Sequence, residues 1–179
     1  DTVSAYGGIV GFNTTVTKET ADAMRPVFYE VVAAPDYEPE ALEILKRKSK
    51  NLRLLKVKPV NVPDVGLHTV SGGLLVQVAD RATDDLGLWN VVTKRHPNED
   101  ERADLEFAWH ACRLIKSNAI VLVKDRAIVG MGAGQPNRVN SAFLAVRAAG
   151  GAAAGSVLSS DAFFPFPDTL ELAAEAEVM

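Results

Sequence analysis

The chain has 179 residues, 47% of them hydrophobic and 23% charged, with a formal net charge of −4 at pH 7. That length allows one domain, or one and a fraction, around a sizeable core. The mildly acidic balance excludes a protein that holds nucleic acid mainly by neutralising phosphates, although a local basic pocket for a small anion stays compatible with it.

Residues 6–13, Tyr-Gly-Gly-Ile-Val-Gly-Phe-Asn, read as a buried strand. Thr17 offers an N-cap with Glu19 in the first turn, opening a short helix that Pro26 ends. Phe28 to Ala33 read as a second strand closed by Pro35. Pro39 and the run Ala41, Leu42, Leu45 predict an amphipathic helix to about Lys48. Leu52 to Leu55 alternate as an edge or half-buried strand, and Lys56 to Gly66, with Pro59 and Pro63, read as a connector. His68 to Val78 are expected to form a strand interrupted at Gly72-Gly73, and Trp89 to Thr93 a short one.

Asn98 followed by Glu101 is a capping-box pattern for a helix over 99–116. Its apolar positions Leu105, Ala108, Trp109, Cys112 and Ile115 are expected on one face. Ala119 to Val123 and Ala127 to Met131 read as a hairpin about Lys124-Asp125-Arg126. A helix from Asn137 to about Arg147, a small-residue linker over 150–155 and a terminal helix over 170–179 complete the chain. Strands alternating with helices indicate a layered α/β fold with a mixed sheet. Both ends read as cut, and no internal repeat is legible.

Cys112, the single cysteine, excludes an internal disulfide and any multi-cysteine zinc cluster. On the apolar side of its helix it reads as a buried, inert thiol. His68, His96 and His110 lack metal-ligand spacing, so no metal is expected. No secretory leader is legible and no apolar run approaches about 18 residues, so a cytoplasmic location without a membrane partner is expected.

Two segments carry the chemistry. The stretch from Lys116-Ser117-Asn118 to Gln135-Pro136-Asn137-Arg138 reads as an apolar hairpin running through glycines into a helix start with an arginine. That suits an anion: glycines let backbone approach, helix-start amides point outward, and a guanidinium forks onto carboxylate or phosphate. The second, Ser159-Ser160-Asp161-Ala162-Phe163-Phe164-Pro165-Phe166-Pro167-Asp168, sets three phenylalanines and two prolines between acids. Together they predict a pocket with a flat apolar wall and a polar rim. Read alone, Asn118 is a helix-end cap, Arg138 a surface residue, Phe163 core and Asp168 a helix cap.

These residues closely resemble the transformylase region of the bifunctional family of purine biosynthesis that joins a formyltransferase to an inosinate cyclohydrolase. The match runs in order through Ser4-Ala5-Tyr6-Gly7-Gly8, Glu40-Ala41-Leu42-Glu43-Ile44-Leu45, Lys50-Asn51-Leu52-Arg53, Ser71-Gly72-Gly73-Leu74-Leu75 and Lys116-Ser117-Asn118-Ala119-Ile120-Val121. It continues through Gly132-Ala133-Gly134-Gln135, Arg138-Val139 and the segment Ser160 to Phe166. The resemblance implies a cytidine-deaminase-like α/β/α fold present as two related units. Residues 1–60 would close the first transformylase subdomain and 61–179 supply most of the second.

It also implies formyl transfer from 10-formyltetrahydrofolate to 5-aminoimidazole-4-carboxamide ribotide. Asn118 and Phe163 would meet the ribotide; Arg138, Val139 and Asp168 would meet the folate. The full-length protein is expected to be a homodimer. Two departures stand out. Gly8 lies where animal members carry an aspartate, so only backbone is offered there, and Pro167 lies where relatives often carry arginine. The zinc deaminases that share the implied fold need His-x-Glu and Pro-Cys-x-x-Cys, and neither occurs here. The family's catalytic Lys-His dipeptide is also missing from these residues; Lys94-Arg95-His96 is its nearest approach. The dipeptide is expected upstream of Asp1, which leaves this chain inactive alone. The alternative is a non-catalytic folate- or nucleotide-binding module, and a third reading is a structural piece unable to bind.

Overall fold

The computed structural model describes residues 4–58, 63–80 and 84–179. Pro59, within the expected connector, and the expected boundary at 60/61 lie outside them. Two compact units divide the chain, Asp1–Ala82 and Thr83–Met179.

In the first unit three parallel strands, β1 (Gly8–Gly11), β2 (Tyr29–Ala34) and β3 (Arg53–Lys56), lie in the order β1-β2-β3. Helices α1 (Lys18–Ala23) and α2 (Pro39–Lys48) connect them, as parallel neighbours require a crossover. Thr17 caps α1 by accepting from the Thr20 amide at 3.3 Å. Val16, Ala21, Met24, Val32, Ala34, Ala41 and Leu45 form this unit's core. The expected interrupted strand is instead a hairpin: β4 (Val65–Val70) pairs antiparallel with β5 (Gly73–Val78). Gly72 takes the left-handed turn position at φ 79°, where a side chain is strained.

In the second unit the sheet order is β7-β6-β8, from β6 (Ile120–Lys124), β7 (Ala127–Gly132) and β8 (Val157–Ser160), all antiparallel. Parallel and antiparallel pairings thus occur in separate sheets rather than in one mixed sheet. Strand β6 is central and covered on both faces, which is why it reads as continuous Ile-Val-Leu-Val. Ala119, Val121 and Val123 pack on α3 (Glu99–Cys112), while Ile120 and Leu122 pack beneath α4 (Arg138–Ala149). Burying each of these larger side chains contributes about 2 kcal/mol. Helix α5 (Asp168–Glu175) packs on α4, completing a helix–sheet–helix arrangement.

Four further expectations change. Helix α3 ends at Cys112, because Leu114 and Ile115 bond back three residues and turn the chain toward β6. Trp109 leaves the apolar face; its indole N–H donates to Asp84 at 2.6 Å and its ring meets Trp89 edge-on at 5.9 Å. Residues 89–93 form no strand, although Trp89 makes that ring contact, and they are preceded by a short 3-10 helix, Leu86–Leu88. The terminal helix stops at Glu175, and the chain folds back so that Met179 N–H donates to the Ser156 carbonyl at 2.8 Å. Among the described residues no helix is long and apolar enough to cross a membrane.

Candidate functional site

At one end of the second unit's sheet three backbone segments meet. The register sets Ile120 opposite both Gly132 and Ser160. Residues just before β6 therefore neighbour those just after β7 and just after β8. Hydrogen bonds extend this meeting: Gly134 N–H donates to the Lys116 carbonyl at 2.7 Å and Asn118 N–H to the Gln135 carbonyl at 3.3 Å. Asn137 then caps α4, accepting from the Asn140 amide at 2.9 Å. Its preceding Pro136 suits this entry, since it cannot extend a ladder.

Two of the glycines before this cap face helix α4. A Cβ on Gly130 would lie 2.1 Å from the Ala145 carbonyl oxygen, and one on Gly132 would lie 2.0 Å from that of Ser141. Both positions let α4 lie directly against β7. Gly134, at φ 65°, makes the turn itself.

Asp161, the residue after β8, sits at the centre of the site. Its Oδ1 accepts from the Ala119 amide at 3.0 Å and from Arg138 Nη2 at 2.9 Å. Only 18% of the aspartate side chain and 13% of the arginine are exposed. Burial alone would raise the Asp161 pKa. Hydrogen bonds from the Ser117 side chain, the Ala119 amide and Arg138, with the charge of Arg138, outweigh it and hold the group down at about 2. Arg138 also donates through Nη1 to the Phe163 carbonyl at 3.3 Å. Its Nε is buried without a hydrogen-bond partner.

Asn118, Arg138 and Phe163 are thus brought together. The Asn118 side chain donates through Nδ2 to the Gln135 carbonyl at 2.9 Å, and the Asn118 backbone carbonyl accepts from the Ser141 hydroxyl at 2.8 Å. The peptide between Ser117 and Asn118 is cis. Phe163 stands 79% exposed, and Phe166 is also exposed, while Phe164 packs in the core beneath α4 and α5. The phenylalanine run therefore divides: one ring is core and two face outward. Val139 is half-buried in the first turn of α4. Asp168 is exposed at the first residue of α5, and its hydrogen bonds stay local, Oδ1 accepting from the Thr169 amide at 2.7 Å. No described hydrogen bond ties it to the other three.

Reading the chain alone left out Asp161, Gln135 and Ser141 as members of this cluster. For Asp161 a signal existed: an acid directly after an apolar strand, inside a phenylalanine-rich run, needs a cation if it is buried. Gln135 and Ser141 act through backbone geometry that spacing does not encode. Cys112 is buried, and burial pushes its thiol pKa up, as expected of an inert group. His110 is exposed.

Two of the cavities among the described residues lie elsewhere. One, of about 700 Å³, is flanked by Lys18, Arg25, Arg47 and Lys48 together with Glu40 and Glu43. The other, of about 540 Å³, is largely apolar and lined by Trp89, Val91, Val92, Leu105, Val157 and Met179. Neither is lined by Asn118, Arg138, Phe163 or Asp168.

Residues 1–148 match the family model described as AICARFT/IMPCHase bienzyme. The chain is 49% identical over 178 residues to the bifunctional purine biosynthesis protein PurH of Prochlorococcus marinus subsp. pastoris, covering 98% of this chain and 34% of that protein. Against PurH of Thermoanaerobacter sp. (strain X514) the identity is 50% over 178 residues, covering 99% and 35%. PurH of Desulfitobacterium hafniense (strain DCB-2) is 48% identical over 182 residues, covering 99% and 35%. The chain spans about a third of the length of these curated relatives.

Proposed function

The chain belongs to the AICARFT/IMPCHase bienzyme family, and from that membership we propose that it supplies part of the ribotide and folate site of a formyltransferase in purine biosynthesis. The reaction moves a formyl group from 10-formyltetrahydrofolate to the 5-amino group of 5-aminoimidazole-4-carboxamide ribotide. The observation that carries this reading is the meeting of the Asn118, Arg138 and Phe163 segments around one partly buried acid.

The arylamine is a poor nucleophile, deactivated by the neighbouring carboxamide. Catalysis must align it with the formyl carbon, take its proton and stabilise the oxyanion. The residues of this chain serve the first task. Phe163 offers a flat exposed ring to the base. Asn118 has a side-chain carbonyl that can accept from the carboxamide, because the described hydrogen bonds engage its Nδ2 instead. A guanidinium carries five N–H donors, so Arg138 keeps protons on Nη1 and Nη2 for the folate beyond those given to Phe163 and Asp161. Val139 and Asp168 complete the folate side, where a carboxylate accepts paired N–H groups of a pterin-like ring.

Proton transfer and oxyanion stabilisation fall to the family's Lys-His pair, a dipeptide that does not occur in these 179 residues. The chain alone is therefore inactive. Residues 1–60 belong to the first transformylase subdomain and 61–179 to the second, each of the cytidine-deaminase-like kind. The parent protein is a cytoplasmic homodimer.

A formyl-transfer assay on the parent protein and on the isolated chain tests this. Turnover by the parent with none from the chain is expected, and comparable turnover from the chain alone refutes it. The lack of a Lys-His dipeptide equally suits a non-catalytic folate- or nucleotide-binding module. A parent that binds the ribotide and folate in calorimetry without transferring formyl would establish that alternative.

A further inference from the structure

We propose that Asp161 is a positioning residue of this site, setting Arg138 and, through Arg138, the backbone that carries the Phe163 ring. The inference rests on the site reading above. It adds a residue to which neither the sequence nor family membership gave a role.

One carboxylate joins three segments. Through Ala119 N–H it fixes the residue next to Asn118; through Nη2 it fixes Arg138; and Arg138 Nη1 grips the Phe163 carbonyl. Of the placed residues Phe163 faces outward, 79% exposed, from a pair that is itself largely enclosed. Breaking a largely enclosed pair from one side leaves the other charge poorly compensated, so the arginine moves rather than waiting in place. The Arg138 Nε, already buried without a partner, offers no second anchor on the protein side. Removal of the aspartate charge therefore shifts the guanidinium toward solvent and releases the Phe163 carbonyl.

A second acid, this one buried, makes the contrast. Asp104 accepts from the Asp125 and Arg126 amides at 3.0 and 2.6 Å, holding the β6–β7 turn whose two residues have positive φ. That turn lies at the end of the sheet opposite Ala119. Among the described hydrogen bonds Asp104 binds backbone only, as suits a residue that holds a fold. Asp161 instead binds a cation whose other arm reaches an exposed aromatic segment.

The experiment uses the full-length parent protein. Asp161→Asn keeps an oxygen acceptor for the Ala119 amide while removing the charge that Arg138 faces. The expected result is a rise of about tenfold or more in KM and in the calorimetric Kd for ribotide and folate, the loss of a charge-assisted contact. The kcat per folded site should change by less than about threefold. Asp104→Asn should lower the melting temperature and leave both KM values unchanged. In Arg138→Met, adding Asp161→Asn should raise KM no further, because both changes cut one route.

Wild-type KM in a folded Asp161→Asn protein overturns the proposal, as does an additive double variant. If Asp161→Asn does not fold, Asp161→Glu retains the charge one methylene further out. A raised KM with kcat unchanged then supports the proposal, and wild-type KM refutes it. A wild-type parent that binds the two compounds but transfers no formyl group refutes the reaction alone, and the Kd comparison still judges Asp161. A parent that binds neither refutes both.

Discussion

Replacing Gly132 by alanine should be among the most damaging single-methyl changes available to this chain. An ideal Cβ there lies 2.0 Å from the Ser141 carbonyl oxygen and 2.6 Å from both its carbonyl carbon and Cα. All three are backbone atoms of α4, so no side chain can swing aside. Reaching even a tight contact of 3.0 Å requires the helix to retreat by about 1 Å. That retreat thins the packing of Ala142 and Ala145 on Ile120 and Leu122, and it stretches the 2.8 Å bond from the Ser141 hydroxyl to Asn118. Overpacking of this kind costs about 1–3 kcal/mol, and the backbone nature of the clash puts Gly132→Ala at or above the upper end. Gly151, in the same unit with nothing within 4 Å of a Cβ and no positive φ, is the control. Gly151→Ala should be neutral or stabilising by up to about 1 kcal/mol, since it only restricts the unfolded chain. Urea unfolding followed by far-UV circular dichroism compares the two. If Gly132→Ala unfolds within about 0.5 kcal/mol of wild type, the contact between α4 and β7 is not as described, and the reasoning fails.

Stability against acid should report Asp161. Its folded pKa of about 2 lies below the ordinary value, so its contribution is complete above about pH 4 and is lost as pH falls through about 2, amounting to roughly 2 kcal/mol. Asp161→Asn should remove that part of the acid limb; an unchanged limb in acid-unfolding curves would contradict the pairing. Cys112, buried and with a raised pKa, should resist a thiol reagent in the native protein and react fully in denaturant, as labelling kinetics will show. Asn98→Ala breaks a capping box whose two bonds measure 2.8 and 2.9 Å and should lower thermal stability by about 1 kcal/mol. Arg138→Ala in the parent protein should weaken folate binding by roughly 1–3 kcal/mol in calorimetric titration, and unchanged affinity would remove Arg138 from the folate side.

Local chemistry made much of this fold legible. Thr17 and Asn98 announce helix starts because their side chains satisfy amides that no earlier turn can reach. Pro39 opens α2 because it lacks the N–H that a first turn leaves idle. The unbroken apolar run of β6 signals cover on both faces. The motifs were sufficient to identify the family, and family membership to suggest Asn118, Arg138, Val139, Phe163 and Asp168 as site residues.

Contacts between distant segments were decided only in three dimensions. Whether Trp89 to Thr93 became a strand depended on a partner ladder, and Trp109 took the contact instead. Gly130 and Gly132 looked like ligand-facing glycines but serve helix packing, because closeness to α4 is a property of the assembled layers. Asp161 and Arg138 stand 23 residues apart, and Asp161 and Ala119 stand 42 apart. Periodicity and capping act over one or two turns of chain. A buried charge pair is specified only where the sheet register brings its two ends together.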